Sequence, residues 1–233
     1  MATTIIEASR NECEKKVAET IARLINKSVE KRGKAVLGIC GGRSVSAIFN
    51  HLREQTVPWK HVHIMMIDER CVTLNSLESN YRCAQETLIN PLVASKKLPA
   101  DNAHPFVYDE THAIKAILKY QSTLDALGGF DVIVTSSGED GHIAALYPKH
   151  NSIRKENTGF FLMTDAPKPP AKRMTASRKL LLKAQAGIIV FFGKEKEKAW
   201  ALFNDPIRTI IDCPAKLITQ LPENYVFHTK ETP

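Results

Sequence analysis

"FDVIVTSSGEDGHIAALYP", residues Phe130 to Pro148, runs from an apolar stretch into a polar loop and back into apolar sequence. "FDVIV" has the length and β-branched content of a buried strand. The loop after it presents Asp140, Gly141 and His142 in succession. A neutral imidazole can take a proton from water near pH 7, because its unperturbed pKa lies close by. A neighbouring carboxylate such as Asp140 can orient the ring or stabilise its charged form. A surface-loop histidine is the plain alternative. In open parallel sheets, ligands bind at the carboxyl ends of the strands, where this loop begins.

Other parts of the chain repeat the pattern. Val17, Ile21, Leu24 and Ile25 have the spacing of an amphipathic helix from about Asn11 to Val29. "KAVLGIC" (Lys34 to Cys40) reads as a strand, followed by Gly41-Gly42 and then by helical spacing through Ile48, Phe49 and Leu52. "VHIMMI" (Val62 to Ile67) is a second strand ending at Asp68-Glu69-Arg70, and a helix runs from Asn80-Tyr81 to about Val93. A further helix covers Ile114, Ile117, Leu118 and Gln121 to Leu127, ahead of "FDVIV". "AGIIVFFG" (Ala186 to Gly193) is a fourth strand, with a helix carrying Ala199, Trp200 and Phe203 behind it, and "NYVFHT" is a last strand. This alternation predicts an α/β fold: one Rossmann-like domain over residues 1–233, its mostly parallel sheet flanked by helices.

Composition narrows the function classes. Hydrophobic residues make up 43% and charged residues 24%, which is the balance of a folded chain. No apolar run approaches the roughly 18 residues that span a bilayer, and "MATTIIEASRNECEKK" lacks the basic-then-apolar pattern of a secretory signal. The five cysteines form no CxxC pair, so neither a disulfide framework nor a zinc finger is expected, and a cytoplasmic setting is. Cys71 reads as a small buried thiol. The net charge of +7 suits an anionic partner. Its richest stretch, "KPPAKRMTASRKLLLK" (Lys168 to Lys183), has no aromatic interleaving for stacking on bases. A small anionic molecule is therefore expected as partner, with no nucleic acid, no membrane and no cofactor or metal, for a monomer or small homo-oligomer.

Four more motifs carry chemistry. In "GICGGRS", Gly41 and Gly42 let the backbone approach a ligand, and the helix start offers free N–H groups to a phosphate. Arg43 adds a charge and Ser44 a hydroxyl; a plain turn with Ser44 as N-cap is the alternative. In "IDER", Asp68, Glu69 and Arg70 close an apolar strand, with a local ion pair as the plain reading. Ser79 and Asn80 in "ESNYR" suit a helix cap. In "DAPKPPAKRMT", prolines hold an extended strap that fixes Lys168 and Arg173, either at an anion-binding edge or as a solvated linker. In "GKEKEKAW", Lys196 can reach a phosphate at the same strand-end face.

Taken in order, GGRS, DER, SNY, GEDGHIAALYP, APKPPAKRMT, GKEK and CPA resemble the 6-phosphogluconolactonases, from about Gly38 to Ala215. The resemblance implies hydrolysis of 6-phospho-D-glucono-1,5-lactone to 6-phosphogluconate, in the oxidative pentose phosphate pathway and without a required metal. It implies His142 as general base, Asp140 as its assistant, and Arg70 as the cation holding the lactone or its oxyanion. Gly41, Gly42, Arg43, Ser44, Asp68, Lys168, Arg173 and Lys196 would surround the substrate and its phosphate. The chain departs from the family pattern at Ser136, where a glycine is usual, and at Glu139, Val45 and Thr73, where prolines are. The related glucosamine-6-phosphate deaminases share Gly-His-Ile-Ala but need an acid where "ALYPKH" has none. A non-catalytic sugar-phosphate binder of the same fold is the other alternative.

Overall fold

Every residue of the runs Ala35–Ile39 and Ala186–Phe191 is buried. Strands with this burial belong in a parallel sheet covered on both faces. The computed structural model describes residues 3–7 and 9–229, the Arg43 side chain lying outside the description. The strand β1 (Thr3–Glu7) leads into α1 (Arg10–Arg32), β2 (Ala35–Ile39), α2 (Arg43–Glu54), β3 (Val62–Met66) and the short β4 (Asp68–Arg70). Next come α3 (Asn80–Ala84), α4 (Asn90–Ala94), β5 (Ala103–His104), α5 (Ala113–Leu127) and β6 (Val132–Ser136). The chain continues through α6 (Asn151–Arg154), β7 (Phe160–Met163), β8 (Arg173–Ala176), α7 (Arg178–Leu181), β9 (Ala186–Phe191), α8 (Glu197–Asn204) and β10 (Glu223–Thr229).

The main sheet has seven strands in the order β1-β10-β9-β6-β2-β3-β5. Every neighbouring pair in it is parallel. The fold is therefore the expected α/β arrangement, and buried side chains of the strands and helices form one continuous core. From β2 the chain moves to β3 on one side, while β6 lies on the other. The loops after β2 and β6 thus diverge, which leaves a crevice at their carboxyl ends.

Three features differ from the sequence expectation. Residues Asp68–Arg70 do not simply end the second strand; the chain steps at Ile67 into a second, antiparallel sheet, β4-β8-β7. There Arg70 lies opposite Arg173 and Asp68 opposite Thr175, so two motifs distant in sequence become neighbours. The helix expected from Asn80 to Val93 carries a π turn over Gln85–Ile89. Pro91, with no N–H to donate, falls in the first turn of α4, where a missing donor costs least. The strand β1, unread in the sequence, joins the outer edge of β10. Among the described residues, no helix is long and apolar enough to cross a membrane.

Candidate active site

A cleft of about 680 Å³ opens at the crevice. Gly41, Gly42 and Ser44 line it from the turn after β2, and Ser136 to Glu139 with His142 line it from the loop after β6. Lys168 of the strap and Glu195 with Lys196 beyond β9 complete the wall, together with Arg10 of α1. The turn after β2 is tight because it has to be. A Cβ on Gly41 would strike the Asn80 side-chain oxygen. Gly42, at φ 105, is the N-cap of α2 and brings no side chain to its first turn. Ser44 therefore sits inside that turn and is not the cap, and the helix start stays open to an anion.

His142 is held on three sides. The Asp140 carboxylate bonds Nδ1 and accepts the His142 backbone N–H at 3.3 Å. That leaves Nε2 as the acceptor. A Cβ on Gly138 would run into the imidazole, so only glycine lets the ring lie on the loop backbone. The Tyr147 ring packs against the imidazole, with centroids 4.6 Å apart. Beneath the loop, the Ala215 N–H donates to the Gly141 carbonyl at 2.9 Å, and Cys213 lies against Gly141. The "CPA" segment is thus the floor of the histidine loop. Ala144, at φ 49, takes a left-handed conformation that alanine rarely adopts. The His142 side chain keeps 17% of its surface exposed. Burial alone would raise the Asp140 carboxyl; the hydrogen bond and charge of His142, with the charge of Lys168, outweigh it and hold it at about 2.

Beside this wall lies a charged cluster in which Asp68 and Arg173 are buried and Arg70 is part-exposed. Arg173, 4% exposed, donates from Nε to the Pro170 carbonyl at 3.0 Å. Its Nη2 donates to the carbonyls of Lys168 and Pro169, each at 3.2 Å. Nε and Nη2 of the guanidinium are therefore committed to holding the strap. Asp68 is buried and accepts from the Asn80 amide at 3.2 Å. Burial pushes its carboxyl up, against the pull of Arg70, Arg173 and His142. Arg70 donates from Nη1 to the Glu78 carbonyl at 2.7 Å, while its buried Nε has no partner among the described residues. The Tyr147 hydroxyl, on a residue 1% exposed, also lacks a partner among the described residues. Glu69 accepts from the backbone N–H of Asn80 and Tyr81, each at 2.7 Å, and so anchors the start of α3. Ser79 caps that helix as expected, accepting from the Arg82 N–H at 3.1 Å.

The structure thus brings His142, Gly41, Gly42, Ser44, Lys168 and Lys196 together at one cleft, with Asp140 held on His142, and sets the buried Asp68 and Arg173 and the part-exposed Arg70 beside it. Arg43 begins α2, and its side chain lies outside the described residues. Lys196 is half-buried, and burial lowers its pKa, against the charges of Glu139 and Glu195. Sequence reasoning missed Arg10, Ser137 and Tyr147. For Arg10 no local signal exists, because only the unread β1 delivers it to the rim. Among the described residues, no three His, Cys, Asp or Glu side chains are grouped to hold a metal. Burial, and then the charge of Glu69, push the Cys71 thiol up to about 12, which suits an unreactive packing role.

The chain matches the family model described as glucosamine-6-phosphate isomerases/6-phosphogluconolactonase over residues 8–227. It is 32% identical over 198 residues to the 6-phosphogluconolactonase of Borreliella burgdorferi, covering 84% of each chain. With the 6-phosphogluconolactonase of Thermotoga maritima it shares 30% identity over 181 residues, covering 77% of this chain and 79% of the relative. The crystal structure of a Thermotoga maritima 6-phosphogluconolactonase superposes with a TM-score of 0.84 at 25% identity, covering 99% of this chain and 100% of the other. A monomeric glucosamine-6-phosphate deaminase superposes with a TM-score of 0.82 at 15% identity over 98% of each chain, a likeness of fold.

Proposed function

Because this chain belongs to the glucosamine-6-phosphate isomerase/6-phosphogluconolactonase family, we propose that it hydrolyses 6-phospho-D-glucono-1,5-lactone to 6-phosphogluconate, the lactonase step of the oxidative pentose phosphate pathway. The observation that carries this reading is the His142 imidazole, its Nδ1 bound to Asp140 and its Nε2 left at the cleft. The deaminase reading is weaker. That reaction needs an acid after the histidine motif, and Ala144 to His150 contain none.

The geometry supports the following chemistry. His142 Nε2 takes a proton from water as its oxygen attacks the lactone carbonyl carbon. Asp140 stabilises the imidazolium that results. When the tetrahedral intermediate collapses, the bond from the carbonyl carbon to the ring oxygen breaks. The imidazolium returns its proton to that oxygen, which leaves as the C5 hydroxyl. The new carboxylic acid then loses its proton to solvent. The phosphate sits at the Gly41–Ser44 turn, against the positive end of α2, with Lys168 and Lys196 around it. As placed, Arg70 and Arg173 act from the side, through the charge they set beside Asp68 and Tyr147. The partner is a small anionic phosphosugar lactone, taken by a monomer or small homo-oligomer. The compartment is the cytoplasm, which suits five free cysteines.

The test is 6-phosphogluconate formation from freshly generated lactone, read above the spontaneous rate, for the native chain and His142→Ala. Acceleration by the native chain that falls about 100- to 10,000-fold in the variant supports the base. No acceleration by the native chain sinks the reading, and would leave a binding protein in which Ser136 and Glu139 replace the usual residues of the loop.

A further inference from the structure

Arg10 follows β1 by three residues, and β1 runs parallel to β10 at the edge of the main sheet. The carboxyl end of β1 therefore faces the same rim as those of β2, β6 and β9, and α1 starts there. Its first side chain, Arg10, lines the cleft that Gly41, Gly42, Ser44, Lys168 and Lys196 also line. The guanidinium is tethered twice. Nε donates to the Glu14 carboxylate at 2.8 Å, one helical turn away, and the group lies 5.6 Å over the Phe192 ring. Glu14 and Phe192 are both buried, so each tether is itself fixed. No hydrogen bond from Nη1 or Nη2 to another described residue is present.

We propose that Arg10 is a specificity residue, whose two free Nη groups take the phosphate of the substrate and so separate the phosphorylated lactone from its unphosphorylated counterpart. The inference rests on the lactonase reading for the position of the phosphate. A free arginine loses about 2 kcal/mol of rotamer freedom when it is fixed. Here Glu14 and Phe192 have already fixed it, so little remains to be lost on binding. The planar fork matches two phosphate oxygens at once, as a lysine ammonium does not. Its side chain keeps 40% of its surface exposed, as a group waiting for a ligand at a cleft mouth must. The remaining cations of the cleft, Lys168 and Lys196, are point charges and attract any anion. Arg10 adds the geometry.

The experiment is calorimetric binding of 6-phosphogluconate and of gluconate to the native chain, Arg10→Met and Arg10→Lys, with thermal unfolding as the check on folding. Methionine keeps the packing on Phe192 and removes the fork. The expected result is about tenfold weaker 6-phosphogluconate binding in Arg10→Met, partial recovery in Arg10→Lys, and unchanged gluconate binding. In turnover, KM for the phosphorylated lactone rises by about the same factor while kcat stays within about twofold. Equal 6-phosphogluconate affinity in Arg10→Met and the native chain overturns the inference, as does an equal loss for both ligands. The two readings fail separately. A native chain that accelerates neither lactone sinks the function and leaves the binding result to decide Arg10. Weakening by Lys196→Ala but not by Arg10→Met keeps the function and discards Arg10.

Discussion

Lys168 and Arg173 stand five residues apart in one proline-rich strap, yet they do opposite things. The Lys168 side chain lines the cleft. The Arg173 side chain is buried and grips the backbone carbonyls of Lys168, Pro169 and Pro170. A cation with its donors committed to carbonyls is part of the scaffold, and a cation facing an open cleft is available to a ligand. The same division separates the whole wall from the cluster beside it. His142, Lys168 and Lys196 face the cleft, while Asp68, Arg70 and Tyr147 flank it. Residue type does not distinguish the two regions. The fate of each donor does, as Lys168 and Arg173 show.

The comparison can be broken by substitution. His142→Ala, in the front region, should lower kcat by about 100- to 10,000-fold while leaving the unfolding midpoint in denaturant nearly in place. Arg173→Ala, in the back region, should do the reverse. It leaves three carbonyls without their donor and Asp68 without a buried counter-charge, so stability should fall by about 3 kcal/mol. KM should rise as well, because the strap that positions Lys168 loosens. An Arg173→Ala protein of native stability would erase the distinction between the regions. Lys168→Ala should weaken substrate binding by about tenfold with little loss of stability, since Lys168 is only part-buried and is held by no ion pair to a described residue.

Smaller effects sharpen the same line. The Tyr147 ring supports His142, but its hydroxyl has no partner among the described residues. Tyr147→Phe should therefore keep kcat within about threefold and change stability by about 1 kcal/mol or less, toward the stable side. A large fall in kcat would place the hydroxyl in the reaction. The smallest effect concerns acid. The Asp140 carboxyl is held at about 2 in the folded chain, below its ordinary 3.8. A depressed carboxyl contributes stability that is complete above its ordinary pKa and is lost as pH falls through the folded value. The window is thus from about pH 4 down to about pH 2. Asp140 is 39% exposed, so solvent screening keeps the contribution small. The drop in melting temperature between those limits should be smaller in Asp140→Asn than in the native chain, and an equal drop would show that the pair does not contribute.

Much of the architecture could be read from the chain alone. Apolar runs such as "KAVLGIC" and "AGIIVFFG" announce buried strands, because a strand covered on both faces is mostly apolar. Helical spacing behind each run announces the crossovers. The turn at Gly41-Gly42 and the loop at Asp140-His142 fall at strand ends, and a parallel sheet brings strand ends to one rim. The register of β4 against β8 is not local, however. It sets Arg70 opposite Arg173 through backbone pairing across a hundred residues of chain, and no periodicity records that. Nor does "TTIIE" announce itself as a strand, since an edge strand with exposed positions lacks the apolar signature.

By itself, then, the amino-acid sequence determined the alternation of the main strands and helices and the motifs that would meet at one rim, because both follow from short-range apolar patterning; it left β1 and the small sheet β4-β8-β7 unread. Tertiary structure alone decided which charged residues of those motifs reach the cleft, which are committed beside it, and that Arg10 joins them. Those outcomes depend on burial and on pairings between distant segments, and each is settled by where a side chain ends in space, not by its neighbours along the chain.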